Sequence, residues 1–314
     1  MTVTFEGEEK ITYRVITKFH TFDLAFKNRK GLIGFPVRGM CQISGYSGVG
    51  KSTLAYTLSG IVGSELKENI TLADLEEHFD PIFMGTVLEN AGFAGTVYNA
   101  TGDLDHEKLE DMLTKLKEDN YAVGIVDSLG AISPVSEAEG GLEDSNMGRR
   151  AMLVAKLARR SIKIGSKKNK PLVLFATNHV HQIIGGRGTL TSGGVVKDYL
   201  SATHLRISVK ETFDDGSTLI GGKVDKNSFG YGKRVFYLFN LAGFGIHPGL
   251  TAMYDCIMLK IAKLDRTVKM SDKNYGFVKK IIENAEDKDL FEPFHAALNN
   301  GIENTVSTEE DEEE

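Results

Sequence analysis

The chain has 314 residues, 41% of them hydrophobic, with 37 basic and 43 acidic side chains and a formal net charge of -6. That length fits one large domain with an appendage or two modest domains. The polar N-terminus and the lack of a long apolar run argue against a secretory leader or membrane span, and the two distant cysteines, Cys41 and Cys256, suit plain buried residues of a cytoplasmic protein.

Residues 1–30 alternate weakly (Val3, Phe5, Ile11, Tyr13, Val15) and read as an N-terminal arm without a long helix. From Met40 the pattern predicts a strand (40–44), a Gly-rich turn, a helix (52–62), a strand (70–72), a helix (81–90) and a strand (96–98). A helix over 105–120, a strand over 121–126, a helix over 147–165 and a strand over 171–177 follow. Alternation of this kind implies crossover units and an α/β fold with a mostly parallel central sheet flanked by helices. Strands buried on both faces read as continuous apolar runs, as in Val123-Gly124-Ile125-Val126 and Leu172-Val173-Leu174-Phe175. Beyond residue 200, alternating segments at 203–210 and 234–240, with Asp214-Asp215-Gly216 between them, predict antiparallel strands at one edge of the sheet. The resulting division is an arm (1–30), a core (31–255), a small C-terminal subdomain (256–304) and an acidic tail (305–314) too polar to order itself.

Gly45-Tyr46-Ser47-Gly48-Val49-Gly50-Lys51-Ser52, followed by Thr53, is a complete phosphate-binding loop between the first core strand and its helix. Its glycines let backbone N–H groups turn toward phosphates, Lys51 reaches the terminal phosphates of ATP, and the Ser52 hydroxyl suits Mg2+. Asp127 ends an apolar strand, where a carboxylate holds Mg2+ through its water shell; a helix cap is the plainer role for such a residue. Hydrolysis also needs a carboxylate to orient water, and Glu76 is the choice from the acidic block 74–80, which otherwise reads as a solvated turn.

Six blocks in fixed order resemble the RecA family of homologous-recombination ATPases, in its bacterial and phage branch, over roughly residues 15–260. They are the phosphate loop, residues 76–81, Val126-Asp127-Ser128-Leu129-Gly130-Ala131-Ile132-Ser133-Pro134, Asp144-Ser145-Asn146-Met147-Gly148, Phe175-Ala176-Thr177-Asn178 and Thr191-Ser192-Gly193-Gly194. The resemblance implies that Glu76 activates water and that Asp80 and Phe83 lie near the adenine, Phe83 stacking on the base or simply belonging to the core. It implies that His179 stands where the family has a glutamine that senses the terminal phosphate; a histidine also donates a hydrogen bond, but ordinarily changes charge near neutral pH. Lys226 resembles one of two lysines that reach ATP from a neighbouring subunit, the second being replaced by Ser228. Met147 and Arg159 match positions beside DNA.

Two Gly-rich loops, roughly 134–147 and 180–194, are too long for tight connectors. In the second, Arg187, Gly193 and Gly194 offer a cation and backbone donors, Ile183 or Ile184 an apolar wedge between bases, and no aromatic platform is present, so DNA contact should be backbone-directed. Nine Lys or Arg and no acid lie between Arg149 and Lys170. At helical spacing Arg149, Lys156, Arg160, Lys163 and Lys167 share a face opposite Met147, Ala151, Val154, Ala158 and Ile162, which suits contact with phosphates or a neighbouring subunit. The six acids at 309–314 account for the whole net charge; such an end ordinarily only solubilises, and the family resemblance implies a tail that competes with DNA for basic surface. The function expected is an ATP-dependent recombinase that forms helical filaments on single-stranded DNA, pairs it with homologous duplex and exchanges strands. A ring-forming helicase or motor and an ATP-switched mediator scaffold are the alternatives.

Overall fold

The computed structural model describes residues 13–132, 147–168, 170–182, 189–191, 200–232 and 234–300. In chain order these form β1 (Arg14–Val15), α1 (His20–Ala25), β2 (Phe35–Pro36), β3 (Arg38–Gly45), α2 (Lys51–Leu66), β4 (Asn69–Asp74), α3 (Pro81–Asn90), β5 (Val97–Asn99), α4 (Asp105–Lys115) and β6 (Tyr121–Asp127). There follow α5 (Met147–Lys168), β7 (Leu172–Gln182), β8 (Thr189–Thr191), β9 (Thr203–Thr212), β10 (Thr218–Asn227), β11 (Val235–Leu241), β12 (Gly245–Ile246) and α6 (Pro248–Met258). A three-stranded sheet of β13 (Ala262–Leu264), β14 (Val268–Met270) and β15 (Lys273–Gly276), then α7 (Val278–Glu283) and a last helix over 292–300, complete the described chain.

The main sheet runs β12-β11-β10-β9-β3-β7-β6-β4-β5, with β8 paired to β7. From β9 to β5 every neighbouring pair is parallel, and from β9 to β12 every pair is antiparallel. Helices cover both faces, which is why β6 and β7 are apolar without alternation. Beneath one face, α2 and α3 pack with the Phe22, Phe26, Phe35, Phe175 and Phe236 rings; beneath the other, α4 and α5 pack on Met40, Val126, Leu174 and Ala176. The fold is the α/β class read from the sequence.

Several local readings are corrected. From Val15 the N-terminal segment is part of the core: Val15, Phe19, Phe22 and Phe26 are buried, and Arg14 donates to the carbonyls of Phe26, Gly34 and Phe229 at 2.8–2.9 Å. β10, which carries Lys226, adds a strand between the two predicted at this edge; its Gly221 and Gly222 lie where a Cβ would strike Lys210 and the Phe236 ring. β7 does not stop at Thr177 but runs to Gln182, where it pairs with β8 as a hairpin, so the described ends of the second loop are strand. α5 is also rotated from the expected facing. Val154, Leu157, Ala158, Ser161 and Ile164 are buried, whereas Ile162, expected in the core, is 38% exposed. Its basic face is not free of acid either, because Glu110 of α4 forms an ion pair with Arg160. Cys41 and Cys256 are buried and unbridged, as expected.

Candidate active site

Four adjacent parallel strands, β3, β7, β6 and β4, end on the same edge of the sheet, and each delivers a site residue there. In open α/β sheets that carboxyl edge is where ligands bind. The phosphate loop leaves β3 at Gly45 and enters α2 at Lys51. Gly48 and Gly50 adopt left-handed φ of 74° and 85°, a region that side chains with a Cβ avoid, and Gly50 is the residue that starts the helix. The first N–H groups of a helix have no partner within it, so this loop presents donors together with the positive end of the helix dipole.

Lys51, the first residue of α2, is 7% exposed. Its ammonium donates to the Tyr46 carbonyl at 2.9 Å and meets His179 Nδ1 at 3.5 Å. Burial lowers its pKa, while the charges of Glu76 and Asp127 oppose that shift. Across the His179 ring, Nε2 lies 2.9 Å from Glu76 Oε1, which also accepts from the Ser128 hydroxyl. Burial pushes the Glu76 carboxyl up, but hydrogen bonds from Ser128 and His179 and the charges of His179 and Lys51 outweigh it, leaving the group below its ordinary value.

The Asp127 carbonyl accepts from the N–H groups of Leu75 and Glu76 at 2.6 and 3.2 Å, which pins the turn after β4 to the end of β6. The peptide between Asp127 and Ser128 is cis. The carboxylate of Asp127 accepts from the Thr177 hydroxyl at one oxygen and faces the Tyr56 hydroxyl at 3.5 Å at the other. Ser128 and Thr177 lie in the quoted blocks but carried no assigned role, and Tyr56 lies outside them; the signals were that Ser128 follows Asp127, that Thr177 shares a face of β7 with His179, and that Tyr56 lies one helical turn after Ser52.

Other expected site residues fall elsewhere. Asp80 caps α3, accepting the N–H groups of Ile82 and Phe83 at 2.9 and 3.1 Å, and Phe83 is partly buried against the core. Lys226 lies in the sheet row of His204 and Gln42, set back from the Gly45 end of β3 and two strands aside, so register does not bring it to this chain's own phosphate loop. Arg159 is exposed on α5. Ile183, Ile184, Arg187, Gly193 and Gly194, and the Met147 and Arg149 side chains, lie outside the described residues.

Mg2+ and ATP fit this donor set: a glycine-turned loop at a helix N-terminus, a buried lysine, and hard oxygen donors from Ser52 and Asp127 of the kind Mg2+ prefers. Among the described residues no cluster of His, Cys, Asp or Glu suggests a different metal centre, and no helix is long and apolar enough to cross a membrane.

A family model of the RecA N-terminal domain matches residues 3–229. Protein RecA of Marinobacter nauticus is 27% identical over 239 residues, covering 70% of this chain and 67% of that protein. Protein RecA of Ehrlichia chaffeensis is 30% identical over 220 residues, covering 68% and 60%, and that of Leptospira meyeri 28% identical over 198 residues, covering 62% and 49%. The chain thus spans about half to two-thirds of the length of these relatives. With a P-loop, a strand-end aspartate and the parallel sheet all in place within the matched span, the chain belongs to the RecA N-terminal domain family.

Proposed function

We propose that the protein is a DNA-dependent ATPase that assembles on single-stranded DNA as helical filaments and catalyses homologous pairing and strand exchange in recombination and repair. The observation that carries this reading is the continuity of β7. One strand holds Thr177 and His179 within the ATPase site and runs on, without a break, into the hairpin that begins the second Gly-rich loop.

In this reading Lys51 and the loop amides bind the phosphates, Ser52 and Asp127 hold Mg2+, and Glu76 orients the attacking water and draws its proton. The bound Mg2+ supplies neutralisation of the charge that develops on the phosphates. His179 contacts both Lys51 and Glu76, so a change at the terminal phosphate alters the imidazole's partners and is passed along β7 to the loop. Asp80 and Phe83 are assigned to the adenine side. Arg149, Arg159, Met147, Ile183, Ile184, Arg187, Gly193 and Gly194 are assigned to DNA, through phosphates and backbone rather than base edges. Lys226 is assigned to the ATP of a neighbouring subunit, and the acidic tail to competition with DNA. The test is ATP turnover with and without single-stranded DNA, for the wild type and Lys51→Ala. DNA stimulation abolished by Lys51→Ala supports the reading; turnover that DNA does not change contradicts it.

A further inference from the structure

We propose that Tyr56 and Thr177 are positioning residues for the metal-holding carboxylate, and that these two hydroxyls set how much Mg2+ the nucleotide site needs. The inference rests on the ATP-site reading above.

Tyr56 lies one turn beyond Ser52 on α2, so the helix face that presents Ser52 to the metal also presents Tyr56 toward β6. Its side chain is 7% exposed, and its hydroxyl lies 3.5 Å from Asp127 Oδ2. Thr177 is fully buried on β7, the strand beside β6, and its hydroxyl donates to Asp127 Oδ1. Two donors thus arrive at the two oxygens of one carboxylate from two different elements. A carboxylate offers about four lone-pair sites, so this arrangement fixes the group's rotation and leaves acceptor capacity for the waters around a metal.

The backbone here is held independently of either hydroxyl, since Leu75 and Glu76 donate to the Asp127 carbonyl and Leu129 donates to the Thr177 carbonyl at 2.9 Å. Loss of a hydroxyl therefore frees the carboxylate to rotate without dismantling the strand end. Neither residue is placed on the phosphates or the attacking water; both act through Asp127.

The test is equilibrium binding of a fluorescent, non-hydrolysable ATP analogue to the full chain, first in EDTA and then across a buffered Mg2+ titration, for wild type, Tyr56→Phe, Thr177→Val and Thr177→Ser. Binding in EDTA should be the same for all four. The Mg2+ midpoint should rise roughly five- to tenfold in Thr177→Val, the size of one lost hydrogen bond behind a metal ligand. In Tyr56→Phe it should rise by only about two- to fourfold, because 3.5 Å is at the outer limit of hydrogen bonding. Thr177→Ser, which restores the donor, should titrate like the wild type. Unchanged midpoints in both Tyr56→Phe and Thr177→Val overturn the proposal, as does weakening by the same factor in EDTA, which marks a merely structural role. Lys51→Ala separates the underlying reading: if it leaves analogue binding intact, the ATP-site assignment fails and this proposal falls with it.

Discussion

Replacing Glu76 by Gln separates chemistry from binding. Oε1 of Glu76 accepts hydrogen bonds from Ser128 and His179, and the amide oxygen of Gln accepts the same two, so the turn keeps its contacts. The contact with His179 is about a quarter exposed on each side, and solvent screening limits its worth to less than about 1 kcal/mol of stability. What the substitution removes is the capacity to take a proton from water. A positioned general base contributes about 10²- to 10⁴-fold, or roughly 3–5 kcal/mol of barrier. Single-turnover hydrolysis should therefore slow at least about a hundredfold, while the Kd for a non-hydrolysable analogue changes by less than about threefold. Hydrolysis within about tenfold of the wild type, or a Kd that worsens in step with the rate, would refute the assignment of Glu76 as the base. The carboxyl is also held below its ordinary pKa, so its contribution to stability is present above the unfolded value near 4 and is lost only as pH falls through the lowered one.

Gly50→Ala should abolish analogue binding and lower the melting temperature, because φ of 85° strains an L-residue and the new methyl would meet the Ile220 side chain at 3.1 Å; wild-type binding would contradict this. Asp255 is buried beneath α1, where Thr21 donates to it through its N–H and its hydroxyl. Burial pushes its carboxyl up to about 7, so its stabilising contribution is full below the unfolded value near 4 and disappears as pH rises through 7. The wild type should accordingly lose more thermal stability between about pH 5.5 and 8 than Asp255→Asn does, and equal slopes would show that the group stays ionised. Truncating residues 309–314 removes six acids and should tighten duplex DNA binding at low salt, with the gain vanishing at high salt; unchanged affinity would remove the tail from the account.

The residues of the candidate site could be picked out of the sequence because several sit at punctuation points. The phosphate loop separates a strand from a helix, Asp127 ends an apolar run, and Glu76 opens an acidic block. What sequence could not supply was lateral order. That β3, β7, β6 and β4 are neighbours follows from long-range pairing, which local periodicity does not encode, and this neighbourhood is what brings His179 between Lys51 and Glu76. Ile162 shows a related limit. Its apolar character suggested the core, but it is 38% exposed, while Leu157, Ser161 and Ile164 of the same helix are buried. Ser161 is buried with its hydroxyl bonded to the Ala158 carbonyl, so a polar letter concealed a core position. β10 shows the converse: Gly221 and Gly222 have no side chains to mark a strand pattern, yet they leave room for Lys210 and Phe236.

In the function proposed above, ATP at this site controls a helical grip on single-stranded DNA. Electron microscopy of the full chain with single-stranded DNA and a non-hydrolysable ATP analogue tests it most directly. Regular helical filaments that require both nucleotide and Lys51 are expected; closed rings, or DNA left bare under conditions where the analogue is bound, would contradict the proposed function.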